Sequence, residues 1–177
     1  MDKITVFIDK KISQNGTAHY KNRIMDVMIG KNGAIEAADK REGDNKTPLG
    51  TYPIKRIFAR MERLDHIDTD WLITPITPDL GWCDDPQHKS YNTLVRLPFD
   101  SSHEEMCRDD HLYDIVIEIG HNSDPVVPEL GSAIFLHLKR DKAVPTAGCV
   151  AFDLDDLLWL VSELDEKAQV SIQIGSA

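Results

Sequence analysis

Residues 133–156, AIFLHLKRDKAVPTAGCVAFDLDD, decide how this chain folds. The run 132–138 is short, apolar and β-branched or aromatic, which predicts a strand, and it carries a histidine, His137. A charged connection follows, and Thr-Ala-Gly-Cys leads into a second apolar run, 149–152, another short strand. The eleven residues 138–148 are enough chain to bring the second strand back beside the first. Residues 153–165, DLDDLLWLVSELD, change period. Leu154, Leu157, Leu158, Val161 and Leu164 recur at helical spacing, with Asp153 at the N-cap and Asp155 and Asp156 at the positive end of the dipole.

Working outward, strands are expected at 3–8, 23–29, 51–60, 91–98, 113–120 and 169–175, with Pro53 near a strand start or on an edge. Residues 36–50 lack apolar period and read as a long loop. Three prolines keep 71–86 from forming a long regular element. The expectation is one domain over 1–177, mainly β, with packed mixed sheets, few helices and one helix near the C-terminus.

Composition narrows the partners. The apolar share of 41% and the charged share of 28% are those of a globular protein large enough to fold without disulfides. A net charge of −10 argues against nucleic acid or an anionic membrane as partner. Three widely spaced cysteines, Cys83, Cys107 and Cys149, make no disulfide framework and suit a reducing compartment. The opening MDKITVFIDKK lacks the ~7–15-residue apolar core of a secretory signal, and no segment reaches the ~18 residues of a span. The expected location is therefore cytoplasmic, or periplasmic if the chain as given is trimmed.

A catalytic cysteine works as a thiolate and needs a base or a positive field beside it. His137 on the neighbouring strand could supply both to Cys149. Gly148 permits a tight turn and close substrate approach, and backbone N–H groups at Gly148 and Cys149 could hold an oxyanion. Thr146 could bond within the loop or to substrate. The same residues also fit a buried core cysteine beside an incidental histidine, since cysteine is among the most buried residue types.

The segment HLKRDKAVPTAGCVAF (137–152) resembles the catalytic signature of the L,D-transpeptidase (YkuD-like) family, a histidine, a loop, then Ser/Thr-x-Gly-Cys and an apolar residue. KREGDNKTPLGTYPI (40–54), GWCDDPQHKSYNTLVRLP (81–98) and LYDIVIEIGHN (112–122) resemble one branch of it, in order. The resemblance implies that Cys149 is the nucleophile, His137 its base, Thr146 the Ser/Thr position and Gly148 part of the oxyanion site. It implies a peptidoglycan stem peptide as substrate: attack at meso-diaminopimelate, loss of D-alanine, then transfer to an amine or to water. No metal or organic cofactor and no obligate protein partner are required. With no export signal, a carboxypeptidase acting on free muropeptides in peptidoglycan recycling is expected, with a cross-linking transpeptidase or a non-catalytic muropeptide-binding protein as alternatives.

Two positions depart from the signature. Many members have histidine where Ala147 stands, and Arg or Asn where Ala151 stands. Carboxylate binding then falls to Arg140, Lys139, Lys40 or Arg41; the fork of Arg140 suits it best, and solvated loop charges are expected for the others. His121 and Asn122, at a strand end, are candidate substrate contacts, with a polar turn as the alternative. Tyr113 and Asp114 read as structural. His103, Cys107 and His111 would share a face and could bind zinc only if helical, and only three ligands are visible; a polar loop or a short helix before the 113–120 strand is the expected reading. Cys83 beside Trp82 reads as a packing or pocket-lining residue, and GDNKTPLG (43–50), which lacks the Gly-Lys-Ser/Thr step of a phosphate loop, as a loop near the cleft or a simple connection.

Overall fold

The computed structural model describes residues 2–140 and 144–175; residues 141–143 of the charged connection lie outside them. Thirteen strands and one α-helix are found among the described residues. The strands are β1 (Lys3–Ile8), β2 (Asn15–Tyr20), β3 (Arg23–Met28), β4 (Ala34–Glu36), β5 (Thr47–Ala59), β6 (Ile73–Pro75), β7 (Leu80–Cys83), β8 (Leu94–Arg96), β9 (His103–Glu105), β10 (Ile115–Ile119), β11 (Phe135–Leu138), β12 (Val150–Phe152) and β13 (Gln169–Ile174). The helix α1 spans Leu154–Glu163, between β12 and β13.

The fold is mainly β with mixed pairing. Neighbours in the large sheet run β10-β11-β12-β3-β2-β1-β13-β5, and β5 pairs again with β10, so the hydrogen-bonded path closes on itself. Closure leaves few open edges on this layer. The pairs β1–β13 and β11–β12 are parallel, whereas β2 and β3 flank their neighbours antiparallel. A second, three-stranded antiparallel sheet, β8-β7-β9, lies apart from it.

Period-two alternation sorts the side chains into two cores. Ile115, Ile117, Leu136, Leu138, Val150 and Phe152 point into the main core, which Leu157, Leu160 and Val161 of α1 also fill. Val116, Phe135 and Cys149 face the other way and pack with Trp82, Met106 and Tyr113 in a second cluster against the small sheet. The buried face of α1 differs from the sequence expectation, because Leu160 is buried and Leu154 is 43% exposed. Asp153 occupies the N-cap in extended conformation without a capping hydrogen bond, and its carboxylate pairs with Lys139 Nζ at 2.7 Å.

One loop expectation is corrected. Residues 36–50 include a 3-10 turn at Ala37–Asp39 and the first four residues of β5, which runs for 13 residues. Pro53 sits inside that strand, where β5 leaves β4 and β13 and takes β10 and β6 as neighbours. A proline has no N–H to give a ladder, and a change of partners is where the loss is tolerated. The His103–His111 segment is β9 followed by turns, so its histidines and cysteine do not share a helical face. No metal-ligating group of three is found among the described residues.

Candidate active site

The parallel register places Leu136 opposite Val150 and His137 opposite Ala151. One step earlier, Phe135 lies beside Cys149, and the Phe135 N–H donates to Cys149 Sγ at 3.4 Å. Cys149 and His137 thus share the face turned away from the main core, as diagonal neighbours on adjacent strands. That spacing, roughly 7–8 Å between Cα atoms, is within reach of an imidazole. Both line a cleft of about 700 Å³ between the two sheets. Ala151, across the ladder from the imidazole, also lines it, and its small side chain leaves room beside the ring.

His137 is oriented by its own strand. Its Nδ1 lies 2.7 Å from the Leu138 carbonyl, which only accepts, so Nδ1 carries the proton and Nε2 is the basic nitrogen. The ring meets Tyr113 edge-on with centroids 5.4 Å apart. Burial lowers its pKa to about 4, against the Leu138 hydrogen bond, with the charges of Arg108 and Arg140 adding to the lowering.

Cys149 is buried, and its thiol donates to the Ala133 carbonyl at 3.1 Å. Burial pushes its pKa up to about 12; the Glu104 carboxylate raises it further, while the Phe135 N–H and Lys40 oppose. The resting pair is therefore neutral thiol and neutral imidazole. Ala133 itself has φ +52°, unusual for a residue with a side chain. Asn92 holds it there: Asn92 Oδ1 accepts from the Ala133 N–H and from Trp82 Nε1, both at 3.0 Å. Nothing local in the sequence marks Asn92.

The turn before the cysteine is pinned from three sides. Thr146 Oγ1 accepts from the Gly148 N–H at 3.0 Å and donates to the Cys149 carbonyl at 2.7 Å. Its backbone bonds to Ile29 and Lys31 beyond the end of β3. The buried hydroxyl of Thr47 accepts from the Gly30 N–H at 2.9 Å and donates to the Gly148 carbonyl at 2.8 Å. Gly148 has φ +141°, and a Cβ there would stand 2.9 Å from the Lys46 carbonyl oxygen. Only glycine fits both demands.

Several expected contacts fall elsewhere. The hydroxyl of Thr146 serves the loop, and the Gly148 N–H is spent on it rather than offered to an oxyanion. Lys139 turns to Asp153 and lies outside the cleft. Arg41 donates to the Ala38 and Lys40 carbonyls and does not line the cleft. His121 is buried with Nε2 2.9 Å from the Leu130 carbonyl, and burial lowers its pKa. Asn122 ties together its own loop through Val127 and Gly131. Both lie off the cleft because a long connection, 120–134, needs internal hydrogen bonds to hold its shape. Arg140 does line the cleft and is exposed. Lys40, expected as a solvated charge, is buried in the cleft wall and paired with Asp44 at 2.6 Å.

Glu42 and Glu104, which no local pattern marks, and Tyr113, expected as structural, all line the cleft. The Tyr113 hydroxyl donates to Glu104 Oε2 at 2.6 Å. Ser132 donates to Glu42 at 2.7 Å, and Tyr91 donates to the same oxygen.

No curated protein matches this sequence. Among solved structures, the helical cell shape determining protein Pgp2 from Campylobacter jejuni is 15% identical; the match covers 99% of this chain and 48% of that one, with a TM-score of 0.45. L,D-transpeptidase 1 of Mycobacterium tuberculosis is 11% identical over 98% of this chain and 62% of that one, with a TM-score of 0.40. An L,D-transpeptidase from Mycobacterium smegmatis is 10% identical over 97% and 59%, with a TM-score of 0.41. The chain thus spans about half to three-fifths of the length of these proteins. The model of the YkuD family, the L,D-transpeptidase catalytic domain, matches residues 3–172, and the chain belongs to that family.

Proposed function

We propose that this chain is a cysteine-dependent L,D-carboxypeptidase. It removes D-alanine from the meso-diaminopimelate of a free muropeptide tetrapeptide in the cytoplasm. The observation that carries the reading is the shared face of Cys149 and His137 in one cleft, with Nε2 of His137 left basic by the Leu138 carbonyl.

The chemistry follows from these groups. The thiol swings from the Ala133 carbonyl to Nε2, which takes its proton as Sγ attacks the diaminopimelate carbonyl carbon. N–H groups of the turn at 147–149 stabilise the oxyanion once substrate reorders the Thr146–Gly148 bond. The C–N bond breaks, and the imidazolium returns the proton to the leaving D-alanine amine. Water then attacks the thioester, giving up its proton to Nε2, and Cys149 leaves as the thiol. Arg140, at the cleft mouth, takes a substrate carboxylate. Three free cysteines are compatible with a reducing compartment, where soluble fragments are the available substrate and water the abundant acceptor.

The test is mass spectrometry of purified protein incubated with L-Ala-γ-D-Glu-meso-diaminopimelate-D-Ala, with Cys149→Ala in parallel. Loss of D-alanine to leave the tripeptide, abolished by the substitution, is the expected result. A cross-linked dimer would make the protein a transpeptidase. Binding of the peptide with no turnover and no acyl adduct would make it a binding module.

A further inference from the structure

The charges along the cleft do not balance in the usual way. Lys40 is committed to Asp44, and Arg108 makes two hydrogen bonds to Asp110, at 2.8 and 2.7 Å. Neither Asp44 nor Asp110 lines the cleft, so these cations are neutralised by carboxylates outside it. Of the three carboxylates that line the cleft, Glu105 is exposed to solvent, and Glu42 and Glu104 are held by hydroxyls. Among the described residues neither forms an ion pair. A hydroxyl orients a carboxylate without cancelling its charge.

Glu104 stands closest to the chemistry. It sits on β9 opposite Trp82 of β7, so the small sheet carries it to the cleft wall facing the nucleophile. Tyr113 fixes Oε2 from below, and the same ring packs on His137. Oε1 makes no hydrogen bond with a described residue. Behind it, the buried Asp84 Oδ1 also lacks a hydrogen-bond partner among the described residues.

We propose that Glu104 is a specificity-determining residue of this cleft, a fixed and unneutralised carboxylate that receives a primary ammonium group of the substrate. The inference rests on the carboxypeptidase reading for the identity of that group, the side-chain ammonium of diaminopimelate. A substrate with one ammonium and one carboxylate would then lie between Glu104 and Arg140. Burial raises the Glu104 pKa, with Asp84 and Glu42 adding to it and the Tyr113 hydrogen bond and the Arg108 charge opposing; Glu104 in turn raises that of Cys149. An ammonium docked at Glu104 relieves both, so the correct substrate eases ionisation of the thiol that attacks it.

Charge-selective thiol reagents test this without substrate. Cys149 is labelled at pH 8 with 2-aminoethyl methanethiosulfonate (cationic) and 2-sulfonatoethyl methanethiosulfonate (anionic), and peptide mass spectrometry separates it from Cys83 and Cys107. Glu104→Gln should lower the cation-to-anion rate ratio about five- to tenfold, and Glu104→Asp should keep most of it. In wild type the ratio should collapse in high salt. A ratio unchanged by Glu104→Gln, or by salt if that variant misfolds, overturns the proposal. Turnover supplies the second readout. Glu104→Gln should raise KM about tenfold for the tetrapeptide with a free diaminopimelate amine and leave its N-acetylated form unaffected. An equal change on both substrates overturns the role in specificity. If wild type turns over neither peptide, the carboxypeptidase reading fails, and the labelling ratio still decides whether Glu104 receives a cation.

Discussion

At the scale of single residues, the site depends on a backbone that few side chains tolerate. Gly148 holds φ +141° one residue before the nucleophile, with the Lys46 carbonyl where a Cβ would stand. Gly148→Ala should therefore cost about 1–3 kcal/mol in urea denaturation, and it should lower turnover beyond what the lost stability explains. A variant with wild-type activity would show that the turn adapts without moving Sγ. Ala133 and Asn92 are a related pair: Asn92 holds a left-handed alanine in place so that its carbonyl meets the thiol. A thiol resting on a carbonyl is protected from oxidation by remaining protonated.

At the scale of elements, three segments far apart in sequence meet at one hydroxyl. Thr47, the first residue of β5, bridges the Gly30 N–H beyond β3 and the Gly148 carbonyl before β12. Thr47→Val keeps the shape and strands both groups in a buried place. The expected loss is about 2–4 kcal/mol, a melting temperature lower by roughly 5–10 °C, with Thr47→Ser close to wild type. This explains what the KTPLG stretch does: it is no ligand loop but the start of a strand that ties down the nucleophile turn. The helix contributes differently, since Leu157, Leu160 and Val161 only seal the main core beside β11 and β12.

At the scale of the whole molecule, burying an imidazole and a thiol makes stability depend on pH. His137 has a folded pKa of about 4 against 6.5 when exposed, so below pH 6.5 the unfolded chain binds a proton that the folded chain refuses. Stability from this group is present above pH 6.5 and is lost as pH falls toward 4. His137→Asn should remove about 2–3 kcal/mol of the wild type's loss between pH 7 and 4.5, read by urea denaturation at both values. Cys149 acts at the other end: its folded pKa of about 12 exceeds the 9 of a free thiol, so stability falls above pH 9 as the unfolded thiol ionises. An equal acid loss in His137→Asn and wild type would mean that His137 is not buried neutral.

The strands that carry the site, and the signature of the family the chain belongs to, are legible in short stretches of sequence. Short apolar, β-branched and aromatic runs at 3–8, 113–120 and 132–138 and the Gly-Cys step at 148–149 are local signals, and each is written within a few residues. The sequence also marked His137 and Cys149 as a pair to examine. Tertiary structure alone decided which polar residues join them. Glu104, Tyr113, Asn92 and Thr47 come from four separated segments, and strands of three or four residues such as β7 and β9 are too short to show a period. It likewise removed Lys139, Arg41, His121 and Asn122 from the cleft. A polar side chain goes to the partner that best replaces lost water: for Lys139 that is Asp153 at the N-cap of α1, and for Arg41, His121 and Asn122 it is backbone carbonyls of their own connections.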